Sequence, residues 1–584
     1  MTTSLRRRFG MVSVTVVVMA MTLTASVGAT PGPSAAGHAV MWTPTEIPLP
    51  PNGVFFSQRG FSLACPAVGV CVAVWSYYDV NQNGFGIIET LSGGTWSQIE
   101  APLPANASAN PNVVLDTPVC PTVDSCVVVG SYTDSNGNPH GLIETLSGGT
   151  WTPTEAPLPA NASLNPYIGL HAVACPQVNT CIAVGGYVDA NGNNQILIET
   201  LATGTWTASE GELPANAATT NERAYITQVV CPDAGGCVTT GNYTDSANNQ
   251  HLVSESLSNG TWTATEIPFH LGARETLQQV YISGLACPAV GSCVAVGAFT
   301  IGNPGRYGDG PGIIDTLSQG VWTTRDAPIP NLPPDKWGSQ LSDVACSGVG
   351  ACVAVGNYNN PQLIGGPGLI DTLSSGKWTA STVPPPVRSD SYLGSVACPA
   401  TGSCVATGFY VVIKEVTGGF TEQFEGVMEV QVGKKWVRTN APLPADAAFD
   451  PQLFNLPVVC PAVGACETVA VYRNTNANIN ENIGALVESL SGGPASPLIT
   501  SAPKASFVVG HAGSFTVMAT GAPLPKIVEP YKLPNGLQFT EGAGTATISG
   551  TPAAGTAGRY LITVTASNGV PPAASQLVTL IIRR

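Results

Sequence analysis

The side chains with chemical potential in this sequence recur at fixed intervals. Sixteen cysteines fall into eight pairs six residues apart: Cys65 and Cys71, Cys120 and Cys126, Cys175 and Cys181, Cys231 and Cys237, Cys287 and Cys293, Cys346 and Cys352, Cys398 and Cys404, Cys460 and Cys466. Thiols so spaced can close local disulfides or hold a soft metal. A metal needs about four such ligands, and the six histidines do not track the cysteine pairs, so eight disulfides are expected, each contributing about 2 kcal/mol. Carboxylates recur too. An acid stands seven positions before a tryptophan in seven copies, from Glu89 and Trp96 to Glu429 and Trp436, while Glu488 is followed by Ala495 instead. Such a ring of carboxylates could hold cations. Its presence in every copy favours a structural task, accepting hydrogen bonds in the turn after it, because catalytic sites break repeat symmetry.

A third set could bind calcium. Asp79, Asn81 and Asn83, then Asp134, Asn136 and Asn138, then Asp189, Asn191 and Asn193 put oxygen atoms at alternate positions, like the first half of a calcium loop. The bidentate acid that would complete such a loop is replaced by Thr90, Thr145 and Thr200, and the same residues build Asx turns in hairpins. Calcium is therefore the one cofactor candidate, with no cofactor the simpler expectation. For catalysis, the arginines beyond residue 29 are few and scattered. No nucleophile elbow, phosphate loop or zinc-helix motif occurs, and no catalytic residue is assigned.

The elements that must position these groups follow from the period, which is near 55 residues. In the third copy, apolar runs at 168–175, 181–187, 195–201 and 205–214 are separated by turn formers, which gives four antiparallel strands per copy. Eight such copies make an eight-bladed β-propeller spanning 40–493, an all-β fold. The tryptophan missing from the last copy stands at the other end of the array, as Trp42 in a segment matching that at Trp151. An N-terminal strand is thus expected to close the ring and leave no free sheet edge, and a monomer is expected. The cysteine hairpins and Gly-Gly turns share one rim; the Asp-Asn loops and the connections between blades share the other. On that second rim the loops at 300–312, 411–426 and 473–484 are longer than their counterparts and carry Tyr307, Phe420, Phe424 and Arg473, the expected ligand-binding residues.

Arg6, Arg7 and Arg8 precede an apolar run closed by small residues near Ala29, which reads as a signal peptide over 1–29 with a linker over 30–39. Export suits the disulfides, and the expected location is secreted, with no membrane span after cleavage. Removing those three arginines from 22 basic residues leaves 19 against 37 acids, a net charge near −18 that excludes nucleic acid and anionic membranes as natural partners.

Beyond residue 493 the period stops. Leu533-Pro534-Asn535-Gly536-Leu537, a Thr-Ala-Thr-Ile-Ser-Gly-Thr-Pro run from Thr545, and alternating apolar residues from Gly558 resemble the immunoglobulin-like, cadherin-related domains repeated in bacterial surface proteins. The resemblance implies a β-sandwich over 494–584 used for adhesion or spacing, without catalytic residues. The Thr-Leu-Ser-Gly-Gly-Thr-Trp turn is similar to the Asp-box turn of sialidase-like propellers, with Ser92 or Ser147 where the aspartate would stand, which implies only the fold. Together these features point to a non-enzymatic binding or surface-interaction protein outside the cell, its ligand a glycan or a protein held on the loop rim. The alternative is a carbohydrate-active hydrolase or lyase with its site in the propeller channel.

Overall fold

This computed structural model describes residues 41–584 apart from 57–60, 221, 270–275, 304–305, 331–337, 359–365, 384–390, 417–418, 449–450, 476–482, 492–494, 523–524, 529–532, 543 and 569–572. The signal-peptide and linker assignments fall outside the described residues.

Each repeat folds into one antiparallel sheet. In the third, the strands Gly169–Gln177, Thr180–Val188, Asn194–Ala202 and Thr205–Glu210 lie side by side in sequence order. Two residues join the third strand to the outer one, and both take positive φ: Thr203 and Gly204 here, Gly148 and Gly149 in the second blade. These are the turns whose twist matches that of the flanking strands, which is why glycine recurs there. Among the described residues eight sheets of this kind follow one another. The inner strand of each packs on the next, and Ser62–Ala67 of the first packs on both Val114–Thr122 of the second and Phe454–Ala462 of the last.

The last sheet has only three strands of its own. Its outer position is taken by Met41–Ile47, antiparallel to Ile483–Ser491, with Trp42 opposite Leu490. Trp151 stands opposite Leu146 in the same way, so the N-terminal strand repeats the register of a true outer strand. The ring is closed as expected, a β-propeller.

A second requirement is met by glycine. The inner strand carries a bulge, between Leu170 and Ala172 in the third blade, which pushes its backbone against the second strand. A Cβ on Gly185 would run into the Gly169 carbonyl oxygen, and one on Gly130 into that of Val114. Blade one departs from this: Trp75 stands at the glycine position, fully buried, and two short strands, Gly53–Phe56 and Ser62–Ala67, replace the single inner strand.

The eight disulfides pair each cysteine with the one six residues on. Each staples the inner strand to the second strand at the hairpin.

From Ala495 the chain builds a β-sandwich. One sheet orders Ala495–Ile499, Gly513–Ala522, Thr545–Gly550 and Leu537–Glu541; the other orders Lys504–Val508, Ala574–Arg583, Gly558–Ser567 and Lys526–Val528. Phe507, Val517, Ile548, Val564 and Leu580 fill the space between them. Alternate residues of Ala574–Arg583 are buried, the pattern of strands with one face on a core.

Gly185→Ala should lower the thermal unfolding midpoint, by the equivalent of about 1–3 kcal/mol for a forced overlap in a packed sheet. An unchanged midpoint in a scanning calorimeter would mean that the bulge does not require glycine.

Candidate functional site

On the rim of the second-to-third-strand hairpins, the polar residues of the repeat form a clasp. The second strand ends in a buried tyrosine. The Tyr187 hydroxyl lies 2.8 Å from both Asn161 Oδ1 and Glu210 Oε2, its one hydrogen shared between these acceptors, and Asn161 Nδ2 donates to the same glutamate at 2.6 Å. Tyr132 meets Asn106 and Glu155 identically, at 2.9 and 3.0 Å, and Tyr243 meets Asn216 and Glu266. The asparagine lies on the connection from the preceding blade and the glutamate ends the blade's own outer strand. The tyrosine thus ties each connection to the blade it enters.

The calcium candidates sit beside this clasp, and the structure brings each trio together. Asp134 Oδ1 accepts the backbone N–H groups of Asn136 and Asn138 at 2.9 and 2.8 Å, and both asparagine amide nitrogens face Oδ2. Asp79 with Asn81 and Asn83, and Asp189 with Asn191 and Asn193, repeat the arrangement. These are Asx turns with the aspartate at their centre. The Asn138 backbone bond leads the contacts that hold Asp134 down at about 2. In the second and fourth blades a histidine joins in: His140 lies 3.3 Å from Asp134 and 2.9 Å from Glu155, and His251 lies 3.1 Å from Asp245 and 2.9 Å from Glu266.

The four expected ligand-binding residues fall on three blades. Two of the segments expected as loops are strands. In the fifth blade, Ser292–Asn303 and Arg306–Ser318 pair as a ribbon out to Asn303 opposite Arg306; in the seventh, Val405–Val416 and Gly419–Val432 pair out to Val416 opposite Gly419. Alternating β-branched and aromatic residues there extend the ladder rather than ending it. Tyr307 and Phe420 lie on these ribbons, their side chains outside the described residues. Phe424 is half-buried, its ring 5.7 Å from Phe409, which stacks on Tyr392 at 5.1 Å. Arg473 ends a strand of the eighth blade and donates to Gln452 Oε1 at 2.9 Å; most of the loop beyond it, 476–482, lies outside the described residues.

The repeated carboxylate lies within the third strand, where the sequence put it, but on the face turned to the preceding blade, and in Glu144 and Glu199 it does not make the expected bonds to the turn after it. Glu144 and Glu199 are fully buried, and neither oxygen of either has a hydrogen-bond partner. Burial pushes both up to about 8. Elsewhere the position has found help: Thr324 donates to Asp315, Arg438 bonds Glu429 at 2.8 Å, and the Arg325 charge opposes the effect of burial on Asp371.

Below this carboxylate, towards the cysteine rim, clefts open between blades. Three have equivalent linings. The cleft between the eighth and first blades, about 820 Å³, is lined by Trp96, Glu89, Glu46 and Glu467; that between the first and second, about 600 Å³, by Trp151, Thr90 and Ser97. The third, between the sixth and seventh, is about 700 Å³ and is lined by Trp436, Thr372, Thr379, Ser381, Gln431 and Lys435. Trp96 and Trp436 are half-exposed to these clefts. Gln431 escaped notice, although superposing the copies reveals it: the position two after the acid is leucine in the seven others, from Leu91 to Leu490.

Comparison with known proteins bears on the C-terminal module. The model of the family described as Putative Ig domain matches residues 496–583. No curated protein matches the sequence. Among solved structures, the chain is similar to the WD40 domain of SCAP from fission yeast (10% identity, 77% of this chain and 94% of that one, TM-score 0.38). It is also similar to polysaccharide lyase Uly1 (10%, 74% and 90%, 0.35) and to a triple mutant of AofleA from Arthrobotrys oligospora (11%, 60% and 93%, 0.31). The propeller assignment rests on the sheet order and closing register.

The raised carboxylates make stability depend on pH. A group lifted from 4.5 to about 8 holds its proton more tightly in the folded chain, so its favourable contribution is whole below about 4.5 and drains away as pH rises through 8. Glu144→Gln should therefore raise the unfolding midpoint at about pH 8.5 and leave it nearly unchanged at about pH 5. Equal loss at both pH values would show that the carboxylate accepts a hydrogen bond the fold needs.

Proposed function

We propose that this is a non-enzymatic binding protein acting outside the cell, and that it takes a glycan or protein ligand on the rim bearing the two ribbons. The observation that carries this reading is the ribbon of the seventh blade, with the ring cluster of Tyr392, Phe409 and Phe424 at its base. Half-buried aromatic rings on rigid strands lose little entropy on binding, which makes them the usual anchors of an interface. Elsewhere on this rim the described hairpins of blades one to four are Asx turns whose aspartates are bonded to the turn's own N–H groups. Location outside the cell is supported by eight disulfides in a chain without free cysteines, which an oxidising compartment sustains.

The channel supports the binding reading over the hydrolase or lyase. Among the described inner strands, Asp116 on the second blade and Asp343 on the sixth carry carboxylates raised by burial, but three sheets lie between them in either direction round the ring. Asp343 is committed to Val396 N, Ser395 Oγ and Val344 N, all within 2.9 Å, which joins neighbouring inner strands. A pair of carboxylates working on one bond must lie within reach of each other.

The test is an immobilised glycan and polysaccharide array together with a panel of extracellular matrix proteins, scored for retention and for cleavage. Retention without cleavage is expected, and it should be lost when the fifth- and seventh-blade ribbons are trimmed to the hairpin length of the second blade. Cleavage of an arrayed polysaccharide, or undiminished retention by the trimmed protein, would contradict the proposal.

A further inference from the structure

The cleft between the sixth and seventh blades differs from its two equivalents in ways that share one chemical sense. We infer that it is a separate binding site for an anionic sugar, a pyranose ring carrying a carboxylate. The sheet geometry supplies the frame: the sixth blade presents one edge of its third and outer strands, and the seventh presents Trp436 and the hairpin before it. Ser347 and Thr401 meet across the back at 2.8 Å between their hydroxyls. At about 700 Å³ the space suits one or two sugar rings.

Each lining group has a role in holding such a ring. Trp436, half-exposed, offers the apolar surface on which the C–H face of a pyranose can lie. Thr379 donates its hydroxyl hydrogen to Thr372 O at 3.3 Å, and Ser381 donates to Ile370 O at 3.2 Å. With their hydrogens so committed, both hydroxyl oxygens face a ligand as acceptors, the complement of sugar O–H donors. Gln431 supplies the reverse: its Oε1 accepts Cys404 N at 3.4 Å, which leaves the amide nitrogen as the donor.

The charge decides the class of sugar. The turn before each tryptophan is two residues long, and in the first six blades its second residue is a glycine with positive φ. In the seventh it is Gly433 that takes the positive φ, at the first position, so the turn is of the other primed type and its second residue can carry a side chain. That residue is Lys434, followed by Lys435, and both are exposed at the cleft mouth. The turns at Gly94-Thr95 and Gly149-Thr150 in the equivalent clefts offer no cation, and the cleft of the eighth and first blades is walled by Glu46, Glu89 and Glu467. Three departures from the repeat, namely glutamine for leucine, a changed turn type and two ammonium groups, converge on one opening. A pyranose carboxylate at the mouth would meet the lysines while its ring lay on Trp436.

The experiment uses the full mature chain and calorimetric titration with tri-galacturonate, tri-glucuronate and tri-mannuronate, each beside its methyl ester. Binding of at least one acid form is expected, with its ester at least about tenfold weaker. Gln431→Leu, which restores the residue of the other blades, and the Lys434→Ser/Lys435→Thr pair should each weaken binding by about tenfold or more, with the unfolding midpoint retained. Trp436→Ala should abolish it, and the Gln431 and lysine variants keep the result readable if that protein does not fold. Trimming the ribbons should leave this binding intact, so loss of the rim interaction and loss of the cleft are read separately. No binding of any uronate, equal binding of acid and ester, or full affinity in both the glutamine and the lysine variants would overturn the inference.

Discussion

Everything in the ring depends on one pairing, that of the N-terminal strand with the third strand of the last blade. A sheet of three strands would present a bare edge, and the junction between the eighth and first blades would lack its outer wall. Met41–Ile47 supplies both. Ile47 packs among Leu63, Ala73 and Leu91 of the first blade and Val469 and Val487 of the eighth, one continuous core across the junction. The other junctions are filled by the same means, with residues of two neighbouring blades in each cluster. The ring is thus a sequence of shared cores, and no blade completes its own without its neighbour.

The buried carboxylates run against that apolar logic. A carboxyl group with no partner is costly to bury charged, so Glu144 and Glu199 hold their protons near neutrality. In the fifth and seventh blades the position has acquired a hydroxyl or a guanidinium partner, while Asp371 of the sixth is still pushed up to about 8 by burial, with only the nearby Arg325 charge opposing it. Apart from Trp75 and the split inner strand of blade one, the first half of the ring, with its short Asx turns and its tyrosine clasps, keeps to the repeat. Departures gather in the second half, with the two ribbons, the basic turn at Lys434 and the glutamine at 431. Structure held by repetition leaves those positions free to differ, and that division is what separates scaffold from candidate site.

Much of this was legible in the chain because repetition exposes it. Pairs of cysteines six apart that no histidine tracks point to stapled hairpins, and a tryptophan absent at one end and present at the other points to closure. The strand limits of the third blade were readable to within a few residues, except that the outer strand ends at Glu210 and the connection begins sooner. The ribbons were not legible, because a longer spacing between strands looks the same whether it is loop or continued ladder. The direction of the carboxylates was also hidden. Alternation says that Glu144 and Leu146 share a face, but not which neighbour that face meets, and the acid was expected to bond to the turn after it in consequence. The tyrosine clasp joins groups 23 and 26 residues apart, beyond any local pattern. Gln431 was visible in principle, by comparing copies position by position rather than by searching for known motifs.

The central claim is that the N-terminal strand is the last outer strand of a closed ring. The most direct measurement compares the protein with a version lacking residues 41–47, by hydrogen exchange resolved along the chain. Closure predicts that Ile483–Ser491 loses protection most, followed by the strands of the first blade that share its core, while the third and fourth blades are little changed. Unaltered protection across Ile483–Ser491 would show that the edge was never covered, and the array would then be open.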